Sequence, residues 1–279
     1  MSTQTEPLRL ACDTHTHTIF SRHAYSTIEE NVRTAAERGI ELLGSTDHFS
    51  DMLYLQRDIR NYQYYNNYRV WPREWHGVKL LHGAEADIVN LHGDLYGADD
   101  VFATSIDGTP VEPVSMQDYV FRRCDYVVAS VHNRWFARNA TIAQATDMYV
   151  RALEHPKVLT LGHSGRSGIR YDIDTVLEAA RVNHKLIEIN EYSFTHVEKS
   201  HEMCLEILER CAETNTPIAV NTDSHISAEI GDFRYVPKLL EEMHFPRELI
   251  ATRSADAFLD ALRAANIAPA DDCEPIPGL

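Results

Sequence analysis

Seven short apolar stretches, each delivering a histidine or a carboxylate at the same end, constrain this chain more than any other feature. They occupy residues 8–12, 41–45, 78–86, 126–131, 157–161, 185–189 and 217–221. Strands that are apolar on both sides must be covered on both faces, which is the condition of a parallel sheet. Amphipathic helical patterns run between them, over approximately 140–154, 172–184, 199–214, 236–244 and 254–265. An earlier helix opens on Ser26-Thr-Ile-Glu29, a capping-box spacing, and runs to Gly39, a residue suited to the position just past a helix end. About seven strand-and-helix units predict a closed α/β barrel. A chain of 279 residues fills one such domain, and 1–279 reads as a single unit. Two long loops, at 49–77 and 89–123, interrupt the rhythm. The first is rich in Tyr and Trp, which suits either aromatics packed on the barrel rim or a lid and pocket wall.

In a parallel barrel the carboxyl ends of the strands converge on one face, where active sites lie. After the first stretch comes Asp13-Thr-His15-Thr-His17, with His23 close behind. The second is followed by Thr46-Asp47-His48 and the third carries Glu85. The fourth ends at His132 and the fifth at His163. The sixth ends in Glu188-Ile-Asn190-Glu191, and the seventh in Asn221-Thr-Asp223-Ser-His225. His15 and His17 are two residues apart, as are Asp223 and His225, so each pair projects to one side of an extended chain. Imidazole and carboxylate ligands without thiolate suit Zn²⁺, Mn²⁺ or Fe²⁺, with Zn²⁺ favoured by the imidazole-rich set.

Composition narrows the partners. A formal net charge of -16 argues against a nucleic-acid duplex held by its phosphates, because such binding needs a basic face. No apolar stretch approaches the roughly 20 residues that span a bilayer. The five cysteines are scattered and odd in number, which reads as reduced thiols, and Cys12 reads as a buried strand residue. The opening MSTQTEPLRL has no apolar core segment. The expectation is a cytoplasmic protein without a secretory leader.

The stretches DTHTHT, STDH, GAEADI, SVH, GHSG and NTDSH, in that order, resemble the motifs of the PHP (polymerase and histidinol phosphatase) family of metal-dependent phosphoesterases. The resemblance runs from about 8 to 268. It is strongest to the stand-alone YcdX-type phosphatases, through HAYSTIEENVRTAAERGIELLGSTDH and RVWPREWHGVKLLHGAEADI. It implies a distorted (β/α)7 TIM-like barrel with three divalent transition metals at the carboxyl ends of the strands. In that scheme His15, His17, Glu85 and Asp223 hold one metal and His23, His48 and His225 a second. Glu85 bridges to a third, completed by His132 and His163. The implied reaction is hydrolysis of a small phosphomonoester by a metal-bound hydroxide, with Glu85, Asp223 and His225 as the residues nearest the chemistry. Two departures bear on the pocket: the 89–123 loop looks longer than in compact relatives, and Ser-Gly-Arg follows His163 where relatives often have a proline.

Several residues stand beside these. Asp13 and Asp47 are placed either to orient ligand histidines or to form the turns that end their strands. Arg22, Arg134 and Arg166 adjoin His23, His132 and His163 and could meet phosphate oxygens, and Asn190 has either a supporting or a substrate-binding role. His76, His82, His92, His155, His184, His196, His201 and His244 match no ligand motif. The partner expected is a small phosphorylated metabolite, with neither membrane nor nucleic-acid duplex, and the long loops offer surfaces through which copies of the chain could associate. The same metals would serve a phosphodiesterase or cyclic phosphodiesterase. A barrel amidohydrolase cleaving C–N bonds also begins with a His-x-His pair, but commonly bridges its metals with a modified lysine at the fourth strand end, where this chain has His132. A non-catalytic metal-stabilised module would be expected to have lost ligands.

Overall fold

The computed structural model describes residues 7–54, 56–271 and 273–279; residues 1–6, on which the reading of the chain's opening partly rests, lie outside them. Seven strands form one continuous parallel sheet in chain order: β1 Cys12–Thr16, β2 Leu42–Ser45, β3 Val78–Asp87, β4 Tyr126–Ser130, β5 Val158–Leu161, β6 Leu186–Asn190 and β7 Ile218–Asn221. Consecutive neighbours pair in parallel throughout. The sheet nearly closes, because β7 returns beside β1. Asp223 N–H donates to His15 C=O at 3.0 Å, and His17 N–H to Ser224 C=O at 2.9 Å.

At the amino end of this seam the two strands are too far apart to pair, and a later segment fills the gap. Thr252 takes Ala11 N–H on its carbonyl (3.0 Å) and Val220 N–H on its hydroxyl (2.9 Å). Helix α8 (Ala255–Ala264) then carries Phe258, Leu259 and Leu262 against Cys12, Leu42, Leu81, Tyr126 and Leu159, closing the bottom of the barrel with apolar side chains. Cys12 is the buried strand residue expected.

The first strand lies further along than its apolar run suggested. Residues 8–11 lead into the barrel, and the strand itself is Cys-Asp-Thr-His-Thr, every residue of it buried. The helix after it, α1 (Ile28–Glu37), also starts one residue later than expected. Thr27 and Glu30 form the capping box, while Ser26 Oγ accepts the amide of Ser227 at 2.7 Å; Gly39 at φ 71° does close the helix. Helices α3 (Ile142–Glu154), α4 (Ile173–Val182), α6 (His201–Thr214) and α7 (Val236–Glu242) lie where the amphipathic patterns placed them. None of the helices described is long and apolar enough to cross a membrane.

The long loops have structure of their own. Residues Ile59–Val70 form 3-10 turns across a kink, with Tyr62, Tyr65 and Tyr68 buried. Their hydroxyls donate to the carbonyls of Ser50, Asp47 (2.5 Å) and Gly83 (3.2 Å), while Tyr64 donates to that of His48 (3.1 Å). The tyrosine segment is thus packed wall, clamping the backbone that follows β2. The second loop contains an antiparallel hairpin, Val101–Thr104 with Pro110–Ser115, and the short helix α2 (Met116–Phe121).

Tyr126 crosses the barrel interior and donates to Thr14 C=O at 2.6 Å. A Cβ at Gly44 would sit 1.9 Å from the Tyr126 hydroxyl and 3.1 Å from Thr14 Cα. Gly44→Ala should therefore cost about 1–3 kcal/mol of stability by overpacking. Chemical denaturation would read this as a lower midpoint; an unchanged midpoint would mean that the ring can move aside freely.

Candidate metal centre

Above Tyr126 the barrel lining turns polar. The parallel register sets His48, on a short bridge strand His48–Phe49, beside Glu85 of β3. Glu85 is fully buried, and its two oxygens face five imidazoles. Oε1 lies 2.8 Å from His163 Nε2, 3.3 Å from His132 Nε2 and 3.3 Å from His15 Nε2. Oε2 lies 2.6 Å from His48 Nδ1 and 3.5 Å from His17 Nε2.

Asp223, at φ 58° just past β7, supplies the second carboxylate. Its Oδ1 is 3.1 Å from His17 Nε2 and 3.6 Å from His15 Nε2, while Oδ2 accepts from Arg166 at 2.7 Å and from Asn190 at 3.4 Å. At the outer side the Nε2 atoms of His48 and His225 approach that of His23 to 3.3 and 3.0 Å. All nine residues of the expected ligand set meet in this one place.

The outward ring nitrogens explain why the inward ones point where they do. His15 Nδ1–H faces Glu188 Oε1 at 2.7 Å, His132 Nδ1–H faces Asp87 Oδ1 at 2.5 Å, and His225 Nδ1–H faces the Asp223 carbonyl at 2.8 Å. His17 Nδ1–H reaches Ser21 Oγ at 2.9 Å, and Ser21 in turn donates to Asp47 at 2.6 Å. An imidazole that donates from one nitrogen presents a lone pair on the other.

The inward nitrogens of His17 and His163 reach Asp223 and Glu85, but three buried atoms of the cluster have no partner. His15 Nε2, His48 Nδ1 and Glu85 Oε2 are buried without a hydrogen bond, although the last two are 2.6 Å apart. Four sets of ligand atoms each lie within 4.8 Å of one another: His15, His17, Asp223; His15, Glu85, His163; His48, Glu85, His132; and His17, His48, His225. Buried polar atoms that converge without bonding one another are what a cation would satisfy.

Charge points the same way. Glu85, Asp87, Glu188 and Asp223 are buried together, and among the described residues an arginine ion pair reaches this group only from Arg166, to Asp223. Burial opposes ionisation of Glu85, yet His132, His15 and His48 hold its carboxyl well below the usual range. Asp223 is likewise held low against its burial, by His15 and Arg166. Burial drives the His48 pKa down to about 4, so its ring is neutral and able to act as a ligand. The donor set fits divalent ions by ligand type, orientation and charge.

Comparison with known proteins agrees with this geometry. The PHP domain family matches residues 13–223. The chain belongs to that family. A probable phosphatase of Clostridium botulinum (strain Okra) is 33% identical over 92% of this chain and 96% of its own length. One from Acetivibrio thermocellus is 35% identical over 90% and 94%. In fold, the PHP chain is similar to the histidinol phosphate phosphatase of Lactococcus lactis, whose crystal structure is a complex with zinc, L-histidinol and phosphate. The TM-score there is 0.51 at 18% identity, covering 85% of this chain and 95% of that one.

Two residues of the PHP site were not singled out from the sequence. Glu188, on β6, takes His15 Nδ1, Asn221 Nδ2 (2.9 Å), the His163 amide (2.8 Å) and Asn190 Nδ2 (3.3 Å). Asp87 takes His132 and the Ser50 hydroxyl. Strand parity held the clue: Asp87 is two residues from Glu85, and Glu188 two from Asn190, so each pair shares a face.

Asp13 orients no histidine and takes the turn-holding alternative. It accepts from Thr222 N–H (3.1 Å), the Thr222 hydroxyl (2.5 Å) and Gly231 N–H (2.9 Å), which fixes the turn carrying Asp223. Asp47 acts on His17 only through Ser21. Asn190 is buried, with its amide nitrogen toward Asp223 and Glu188 and its oxygen capping helix α5 (Glu191–Thr195). Glu191 turns away to accept the amides of Arg234, Tyr235 and Val236. Arg22 is exposed over the Tyr54 ring at 4.8 Å. Arg134 and Arg166 line a cavity of about 650 Å³ that opens beside His132 and His163. Its walls come from 131–142, 163–173 and 197–206, so the 89–123 loop does not shape it, whereas the Ser-Gly-Arg after His163 does.

Proposed function

We propose that this chain is a metal-dependent phosphatase that hydrolyses a small phosphomonoester at a site holding three divalent transition metals, zinc foremost. The observation that carries this reading is the convergence of seven imidazoles and two carboxylates, with His15 Nε2, His48 Nδ1 and Glu85 Oε2 buried without a hydrogen bond, beside a cavity of small-molecule size. The relatives named probable phosphatases support the same reaction class.

Bound divalent ions would lower the pKa of a coordinated water and neutralise phosphoryl oxygens. The protein's own part is to hold the ligands and the ester in place. His15, His17, Glu85 and Asp223 would hold one ion, His23, His48 and His225 another, and Glu85 with His132 and His163 the third. Glu188, Asp87 and the Ser21–Asp47 pair fix the rings of His15, His132 and His17. Arg166, half-buried and bonded to Asp223, stands where the cavity meets the cluster and would bind a phosphate oxygen on the cavity side.

The reading is tested by turnover of p-nitrophenyl phosphate and bis-p-nitrophenyl phosphate before and after removal of metal by chelation. Monoester turnover should vanish with the metal and return with Zn²⁺ or Mn²⁺. Full activity in verified metal-free protein would overturn it, and preferential cleavage of the diester would move the assignment to a phosphodiesterase.

A further inference from the structure

The cavity beside the cluster is larger than a phosphate and a short carbon chain require, and its lining carries four cations, Arg134, Arg166, Arg170 and Lys199. Arg166 is its innermost guanidinium and is already engaged by Asp223. Further out stand Arg134, from the turn after β4, and Arg170, from the loop after β5. Both are exposed, and neither has an ion pair or hydrogen-bonding partner among the described residues.

The same two arginines line a second hollow, of about 490 Å³, which shares Ile142 and Gly168 with the first. They therefore stand at the junction of the two. Gly168, at φ 71°, gives the guanidinium of Arg134 its seat: a Cβ at that position would lie 2.2 Å from Nη1. The part of the wall on α6 carries Glu202 and Glu206, and no ion pair joins either to Arg134 or Arg170.

A chain of net charge -16 repels anions at long range, so a doubly anionic ligand needs local positive charge at each of its ends. The cluster offers that at one end. We infer that Arg134 and Arg170 form a second anion subsite, so that the substrate carries a further anionic group, phosphate or carboxylate, remote from the phosphate that is cleaved. This rests on the phosphomonoesterase reading and narrows its substrate class.

The test measures phosphate release by the metal-loaded enzyme from glucose 6-phosphate, glucose 1,6-bisphosphate and 6-phosphogluconate, with p-nitrophenyl phosphate as the control for the reaction itself. The wild type should favour one or both of the esters with a second anionic group over glucose 6-phosphate by about ten- to a hundredfold in kcat/KM, as charge-assisted hydrogen bonds allow. The bisphosphate arm and the gluconate arm tell a phosphate subsite from a carboxylate one. In Arg134→Gln and Arg170→Gln the ratio should fall toward one, through KM more than kcat, and lysine at either position should restore part of it. Turnover of p-nitrophenyl phosphate with equal kcat/KM for the three sugar esters would overturn the subsite alone. Absence of turnover on every ester would overturn the reading beneath it.

Discussion

Glu85→Ala protein will purify with fewer metal ions per chain than the wild type and will lose most of its phosphomonoesterase activity. Five imidazoles approach the two oxygens of this one carboxylate within 3.5 Å, so no other side chain in the site touches as many of its neighbours. Removing it withdraws one negative charge and two oxygen donors from between the rings. A lost ion forfeits several kcal/mol of transition-state stabilisation, which is a rate loss on the order of 10³-fold. Glu85→Gln keeps the volume and one oxygen while removing the charge, and separates loss of ligation from loss of packing. Elemental analysis beside p-nitrophenyl phosphate turnover reads both quantities. A full metal complement in Glu85→Ala would show that the carboxylate does not bridge.

Glu188→Gln should weaken metal retention although Glu188 is expected to touch no metal. Its carboxylate receives four donors, from His15, Asn221, Asn190 and the backbone of His163. An amide at this position turns an NH₂ group toward at least one of those donors. The His15 ring then loses the acceptor that fixes its orientation, a change that typically costs about 10–100-fold in metal affinity. Burial makes the mismatch expensive as well, at about 1–3 kcal/mol for an unsatisfied group. The check is metal content after dialysis against chelators of graded strength, paired with denaturation of the metal-free protein. Retention equal to the wild type would reduce Glu188 to a packing residue.

Much of this architecture was legible because local and global preferences agree. The apolar stretches of β2 to β7 and the amphipathic faces of α3, α4, α6 and α8 lie close to where sequence periodicity puts them. The first strand was misplaced for the opposite reason. Leu8 to Ala11 look like a strand, but the paired segment is Cys-Asp-Thr-His-Thr, polar because its side chains face the cluster and the seam. Function there overrides the hydrophobic pattern.

Most of the ligand-type residues were found because they sit at or near strand ends, and His23 because it follows His15 and His17 closely. Glu188 and Asp87 were passed over because nothing in a single sequence shows which histidine a carboxylate from another strand will meet. Asp13 shows the converse: its place two residues before His15 suggested a partnership, whereas its carboxylate is taken across the seam by Thr222 and Gly231. The tyrosine segment read equally well as packing or lid until its hydroxyls were seen bound to the carbonyls of Asp47, His48, Ser50 and Gly83.

The seam between β1 and β7 sets an order of events in the life of each molecule. Thr14 meets Asn221 across it, and Asp13 meets Thr222, pairs separated by 207 and 209 positions along the chain. Loop-closure entropy makes such joins the last to form, and the segment that wedges them, around Thr252, leaves the ribosome later still. His15 and His17 are synthesised about 200 residues before Asp223 and His225, and wait for them before the cluster exists. A half-made chain therefore carries His15, His17, His48 and Glu85 without Asp223 or His225, and the buried convergence that would hold cations exists only in the finished barrel.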